Sequence, residues 1–166
     1  FVIQPNGNQA IVNWGYNAWG GKYPPFDLDN SIPSKVAEAL GIPLIEPEMI
    51  LEGGSIDVNG NQSLITTEQC MLNTNRNPNL NKQEIESRLS DFIGVKNITW
   101  LGNGIKGDDT DGHVDNISRF VSKNTVVTAA ESNISDPNHE ILKSNRNVLK
   151  KKFNIIFFII CLFGIN

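Results

Sequence analysis

The feature that most constrains the fold is an order of elements that occurs twice along the chain. A helix pattern ended by glycine, a strand pattern, a glycine-flanked polar residue and a hairpin pattern occupy residues 35–66 and then residues 84–130. Residues 1–14 contain a further hairpin pattern, which we interpret as the end of an earlier copy. Repeated units place their equivalent positions side by side, so the sequence predicts an α/β repeat fold.

Capping residues, turn residues and hydrophobic patterns predict the helices and strands. A helix is predicted at about residues 34–40 with Gly41 as its stop, and Asn81 with Glu84 has the capping-box pattern of a second helix that ends at Gly94. Alternating or β-branched runs predict the strands at residues 1–4, 9–14, 43–45, 49–51, 55–58, 63–66, 97–101, 117–121 and 125–129.

Residues 107–116 carry the densest set of reactive side chains. Four carboxylates and one of the chain's two histidines lie within these ten residues. If the segment is extended beyond Gly112, His113 and Asp115 project to the same side and Val114 turns into the core. An imidazole beside a carboxylate is a candidate acid and base near neutral pH.

The repeat predicts where a second carboxylate lies. Glu52-Gly53 and Gly112-His113 occupy equivalent positions in the two copies. Glu52, His113 and Asp115 are therefore expected to converge, although the first is distant in sequence. Two carboxylates and an imidazole suit a cationic group with many N–H donors, such as a guanidinium. They do not break a bond without a nucleophile or an activated water.

Other interpretations of these residues remain open. A lone histidine is more often structural than catalytic, and the aromatic side chains of residues 14–23 favour packing over substrate stacking. The acidic loop is a weak calcium candidate, because aligning Gly112 with the glycine of an EF-hand loop puts Gly107 and Ser118 at the first and twelfth ligand positions.

Charge and cysteine usage exclude several classes of function. The formal net charge is −4 and no basic stripe precedes residue 143, which argues against nucleic-acid binding. The two cysteines, Cys70 and Cys161, do not make a disulfide framework, so a reducing compartment and a cytoplasmic location are expected.

Five segments in order resemble the agmatine deiminase family, which includes the bacterial-type peptidylarginine deiminases. The resemblance runs from about residue 1 to residue 142. The segments are Asn17–Tyr23, Leu51–Ile56, Thr66–Cys70, Asn75–Pro78 and Asp109–Asn116.

The resemblance implies a fold and an activity. It predicts an α/β fold with ββαβ-type repeats, a partial pentein five-bladed propeller of about half its full size, over residues 1–147. It also implies hydrolysis of a guanidinium to a ureido group and ammonia: agmatine would give N-carbamoylputrescine, a step towards putrescine and the polyamines, with peptidyl-arginine as the other substrate. Neither a cofactor nor a metal is expected.

The resemblance also assigns roles to residues. In that family a cysteine thiolate attacks the guanidinium carbon and a histidine protonates the departing ammonia, then activates water. His113 takes the acid/base role, Asp115 holds the guanidinium nitrogens, and Glu52 holds the substrate or orients His113. The family's C-terminal Gly-rich His-Cys motif does not occur in this sequence, Cys70 stands where the family has a non-catalytic cysteine, and Asp57 replaces a common histidine. The isolated chain is therefore expected to have little or no activity.

Residues 148–166 are expected to form an aberrant tail. Basic residues precede an apolar run at 155–165 that is shorter than the roughly 20 residues of a membrane helix. A truncated or misread coding end is favoured over association of this tail with anionic lipid. The alternative function is an inactive remnant that binds guanidinium ligands or a membrane. Unpaired propeller blades also predict poor solubility or self-association.

Overall fold

A computed structural model describes residues 1–4 and 6–159 of the chain. The protein divides into two compact units. The first contains Phe1–Glu52 and Thr74–Gly94, and the second contains Gly53–Asn73 and the residues from Val95 onward. The chain thus passes from the first unit to the second and back before it completes the second.

Nine strands form three sheets of three strands each within the described residues. In each sheet the strands follow sequence order: the first pair is antiparallel and the second pair is parallel. The strands are β1 (Val2–Ile3), β2 (Gln9–Val12), β3 (Leu44–Ile45), β4 (Ile56–Val58), β5 (Ser63–Thr67), β6 (Asn97–Leu101), β7 (Ser118–Ser122), β8 (Thr125–Ala130) and β9 (Asn154–Ile159).

Helices connect the parallel strands. The helices are α1 (Ala18–Gly21), α2 (Asp27–Asn30), α3 (Ile32–Leu40), α4 (Glu68–Met71), α5 (Lys82–Ile93) and α6 (His139–Leu149). A parallel connection needs a crossover, and α3, α5 and α6 supply it in the three sheets in turn. Each sheet with its helix is one ββαβ unit, so the predicted α/β repeat is confirmed.

The cap geometry confirms both predicted helix ends and the predicted start of α5, whereas α3 begins at Ile32, before its predicted start. Helix α5 begins with the reciprocal capping box between Asn81 and Glu84. Gly41 and Gly94 end their helices in the left-handed conformation that glycine adopts at low cost. The strand predicted at residues 97–101 is β6 with the same bounds.

The core of the second unit supports the stretch that follows the acidic loop. The side chains of this core pack from β5, β6, β8, α6 and the segment before β7, and each fully buried Val, Leu or Ile contributes roughly 1.5–3 kcal/mol. Val114 is completely buried here, as predicted, which fixes the chain beside His113. The members are Ile65, Leu101, Val114, Ile117, Val126, Ala129, Leu142 and Leu149.

Aromatic side chains of the first unit contact one another edge to face. Trp19 contacts Tyr16 and Tyr23 with ring centroids 5.7 and 5.8 Å apart, and Trp14 contacts Phe92 of α5 at 5.9 Å. Such contacts favour the packing interpretation of these residues over substrate stacking.

The residues around the predicted start of the tail form regular structure. The boundary predicted at residue 147 falls inside α6, and β9 pairs in parallel with β8 over six residues. Arg146 and Lys150 lie 5.4 and 5.5 Å from the ring centroid of Phe157, at cation–π distance. Cys161 and the rest of the apolar run after Ile159 lie outside the described residues. Among the described residues, every helix is too short or too polar to cross a membrane.

Candidate active site

Two short 3-10 turns carry the residues that the sequence analysis singled out. Glu52 immediately precedes the turn Gly53–Ser55, which leads into β4, and His113 immediately precedes the turn Val114–Asn116, which leads towards β7. The two residues therefore occupy equivalent positions in successive repeats. The condition of an extended segment at residues 113–115 is not met, because the chain bends at this point and the strand begins at Ser118.

The side chain of Asp108 stabilises this bend because it accepts hydrogen bonds from several groups of the loop. Its Oδ2 accepts hydrogen bonds from the backbone N–H groups of Gly112 (2.8 Å) and His113 (3.1 Å). Its Oδ1 accepts from the backbone and hydroxyl of Thr110 and from the amide of Asn116. Side-chain acceptors of this kind compete with a strand ladder for backbone donors. With five protein donors on its two oxygens, Asp108 gives no support to the calcium interpretation.

The charge of Asp108 is stabilised by the same contacts. Partial burial would by itself raise the pKa of this carboxyl. The hydrogen bonds from Thr110, Gly112 and Asn116 outweigh that effect and lower the pKa below its ordinary value. Asp108 therefore remains an ionised acceptor at neutral pH and is a structural carboxylate of the loop.

His113 and Asp115 come together despite the bend. His113 is buried, with 6% of its surface exposed, and its Nδ1 lies 4.0 Å from Oδ1 of Asp115. A third of the Asp115 side chain is exposed, so solvent reaches the carboxylate. A buried imidazole beside a solvent-reaching carboxylate can exchange a proton while the carboxylate holds a cationic group.

Gly54 lines this pair and was not predicted as a site residue. A Cβ atom on Gly54 would lie 2.5 Å from Nδ1 of His113 and 2.8 Å from Oδ2 of Asp115, closer than real side-chain carbons approach. Only a glycine leaves room for both side chains at that point. The signal in the sequence was the Glu52-Gly53-Gly54 run, because a second glycine beside a candidate site residue indicates a close approach to the backbone.

The loop before His113 is held by side chains from neighbouring elements of the second unit. Gln69 of α4 accepts from the backbone N–H of Gly104 at 2.9 Å. From the other side, Asn138 accepts from the N–H of Lys106, and Asn145 bridges the N–H of Gly102 and the carbonyl of Asn103. Both asparagines are buried, so their bonds form away from water.

Glu52 lies in the first unit and is paired with Arg76. The guanidinium donates from Nε to Oε1 at 2.8 Å and from Nη2 to Oε2 at 3.1 Å, the bidentate geometry that Arg and carboxylates prefer. Both residues are buried, and Asn75 accepts a further bond from Nη1 of Arg76. The expected convergence of Glu52 with His113 and Asp115 stays a prediction.

Two of the predicted site residues belong to the second unit and one belongs to the first. His113 and Asp115 lie together in the second unit, and Glu52 forms its ion pair in the first. Cys70 is almost fully buried, with 1% of its surface exposed. Arg76 and Asp108 were not predicted as partners, since pairing across 24 residues or through a bent loop leaves no periodic signal.

The chain is similar in sequence to proteins of one known family. The sequence profile of the Porphyromonas-type peptidyl-arginine deiminases matches residues 1–155. An agmatine deiminase of Pseudomonas syringae pv. tomato is 42% identical over 165 residues, which cover 92% of this chain and 45% of that protein. The chain therefore spans about half the length of the relatives it matches, and the match continues beyond the predicted limit near residue 142.

Solved structures give the same result. An agmatine deiminase of C. jejuni with substrate bound matches with a TM-score of 0.85 and 39% identity over 93% of this chain and 47% of that one. The agmatine deiminase of Enterococcus faecalis matches with a TM-score of 0.85 and 30% identity over 93% and 46%.

The fold is that of a pentein-type α/β protein. About half of the propeller is represented, and the described residues do not close a barrel. The chain belongs to the Porphyromonas-type peptidyl-arginine deiminase family.

Proposed function

We propose that the chain supplies part of the active site of a guanidine deiminase whose substrate is agmatine. The single observation that carries the proposal is the proximity of the buried His113 imidazole to the partly exposed Asp115 carboxylate, beside a glycine that cannot be replaced without a clash. The named relatives are agmatine deiminases, which supports agmatine over peptidyl-arginine.

In the proposed reaction each residue has one task. Asp115 holds the guanidinium nitrogens, and Glu52, fixed by Arg76, holds the substrate or orients His113. A thiolate adds to the guanidinium carbon, His113 protonates the departing ammonia, and His113 then takes a proton from the water that releases the ureido product and restores the thiolate. The chemistry needs no metal or cofactor.

We expect that neither cysteine of this chain is the nucleophile of this mechanism. Cys70 is buried next to Thr67 and stands at a non-catalytic position of the family, and the family's His-Cys motif does not occur among the 166 residues. We therefore expect this chain to bind guanidinium ligands but to release ammonia only at the background rate.

Titration of the 166-residue chain with agmatine tests the proposal. Imidazole signals of His113 should shift with agmatine and stay unchanged with putrescine, which has an amine in place of the guanidinium. Asp115→Asn should weaken the response, and Asp109→Asn, an exposed carboxylate of the same loop, is the matched control. Equal responses to both ligands would contradict guanidinium recognition. Ammonia release abolished by His113→Ala would show instead that this chain turns over its substrate.

A further inference from the structure

We propose that Thr67 and Asp108 are positioning residues of this site, which hold the peptide group between Gly112 and His113 by both of its polar atoms. Thr67 binds the carbonyl oxygen and Asp108 binds the N–H. The direction in which the His113 side chain leaves the main chain is thereby fixed. The inference rests on the acid/base role proposed for His113.

Thr67 approaches from the end of β5. It is completely buried, and its hydroxyl lies 2.6 Å from the carbonyl oxygen of Gly112. The same hydroxyl accepts a bond from the backbone N–H of Cys70 at 3.2 Å. A hydroxyl has one proton to donate, and with Cys70 as a donor to its oxygen that proton points at Gly112. The bond therefore has one direction and one partner.

Asp108 approaches from within the loop. Its Oδ2 lies 3.1 Å from the N–H of His113 and 2.8 Å from the N–H of Gly112. An ionised acceptor makes shorter and stronger bonds than a neutral one, and this one receives two adjacent main-chain donors. The hydroxyl of Thr110 lies 3.3 Å from the same His113 N–H and is a weaker second acceptor.

The backbone at Gly112 explains why the peptide needs two anchors. Gly112 has φ of +93°, and a Cβ atom there would lie 3.0 Å from Oε1 of Gln69 and 3.1 Å from the backbone nitrogen of Gly104. Glycine tolerates both the positive φ and the lack of space for a Cβ atom. It also leaves the following peptide easy to rotate. Hydrogen bonds on opposite edges of that peptide oppose the rotation, and they preserve the 4.0 Å separation of His113 from Asp115.

Imidazole NMR spectra of the full chain test the inference, because the chain has only two histidines. His139 lies in α6 with its own partner, the carbonyl of Glu131, and serves as the internal reference. Thr67→Val keeps the shape but removes the hydroxyl, and Thr67→Ser keeps the hydroxyl. The valine variant should shift or split the His113 signals while the His139 signals stay as in the wild type, and the serine variant should restore the wild-type His113 signals.

Either unchanged His113 signals in Thr67→Val or equal changes at both histidines would overturn the inference. Should Thr67→Val not fold, the Asp108 half of the contact gives an independent measurement. Amide hydrogen exchange at His113 should be at least about tenfold faster in Asp108→Asn, because the His113 N–H loses its charged acceptor. A tenfold change in rate corresponds to about 1.4 kcal/mol of lost protection. Asp109→Asn should leave the rate unchanged, and an unchanged rate in Asp108→Asn overturns the inference.

These outcomes are separate from those of the proposed function. Agmatine titration of the wild type decides whether the site binds a guanidinium. The Thr67 and Asp108 variants decide whether the peptide before His113 is held as described. A chain that ignores agmatine but shows the expected His113 changes would keep the positioning role and reject the ligand.

Discussion

The two 3-10 turns, Gly53–Ser55 and Val114–Asn116, occupy equivalent positions in successive repeats, but their neighbouring residues are held in different ways. At the first turn the side chain is immobilised, because Arg76 holds both carboxylate oxygens of Glu52. At the second turn the main chain is immobilised, because Asp108 and Thr67 hold the peptide before His113. The comparison shows that a repeat can keep its geometry while one copy fixes a charge and the other presents a group able to transfer a proton.

Removal of the guanidinium from the first turn should have the largest effect. Arg76→Ala leaves the buried Glu52 carboxylate without its ion pair, and we expect a loss of about 3–5 kcal/mol in the free energy of unfolding, measured with urea. Lys35→Ala removes an exposed cation from the same unit and should cost no more than about 0.5 kcal/mol. A loss below about 1 kcal/mol for Arg76→Ala would mean that the side chain of Glu52 does not depend on this ion pair.

A smaller effect is expected at Gly54, the glycine of the first turn that lies against His113 and Asp115. Gly54→Ala places a methyl group against His113 and Asp115, which should cost about 1–3 kcal/mol by overpacking and weaken agmatine binding. Gly53→Ala is the matched control, because a Cβ atom there meets nothing within 4 Å. Similar losses in both variants, in denaturation and in ligand titration, would show that His113 and Asp115 tolerate displacement.

The loop that leads into the second turn should respond to acid through Asp108. Since the pKa of Asp108 is lowered in the folded protein, its contribution to stability is complete above the ordinary pKa of 3.8 that the group has in the unfolded chain, and is lost as pH falls through the lowered folded-state pKa. The stability difference between the wild type and Asp108→Asn, measured by denaturation at several pH values, should therefore shrink in strong acid. Asp109→Asn is the control, and a difference that stays constant with pH would contradict the role of the Asp108 charge.

The smallest effect is expected for the ion pair between β4 and β7. Arg119 donates from Nε to Oδ1 of Asp57 at 2.8 Å, but 60% of its side chain is exposed. Arg119→Ala should cost about 0–1 kcal/mol, less at high salt, because Asp57 keeps the backbone N–H of Phe120 as a donor. Denaturation at low and high ionic strength measures this, and a loss as large as that for Arg76→Ala would remove the distinction between exposed and buried pairs.

The sequence predicted the parts of the fold that depend on local signals. Gly41, Gly94 and the capping box of α5 set helix ends through contacts of a few residues, and the hairpins follow from turn residues and alternation. Helix α6 was not predicted, because polar residues interrupt its apolar face. One of them, Asn145, is buried by hydrogen bonds to a loop 42 residues away in sequence.

Within the second unit, the sequence indicated the two candidate site residues that lie near one another along the chain. His113 and Asp115 lie close together although the chain forms a turn there instead of an extended segment. The alternation rule does not account for a side chain such as Asp108 that binds backbone donors. Arg76 and Thr67 act on residues 24 and 45 positions away, and neither period nor composition reports such contacts.

Strand order within the three sheets has a consequence for how this chain forms its structure. Among the described residues, strands pair only with their neighbours in sequence, and each sheet is finished when the strand after its crossover helix arrives. Each parallel pair closes over one crossover, as in Ser63 with Asn97 and Thr125 with Asn154, so every pairing is confined to a single repeat. During synthesis a ribosome would release the sheets one at a time, so that each sheet can assemble before the next has been translated.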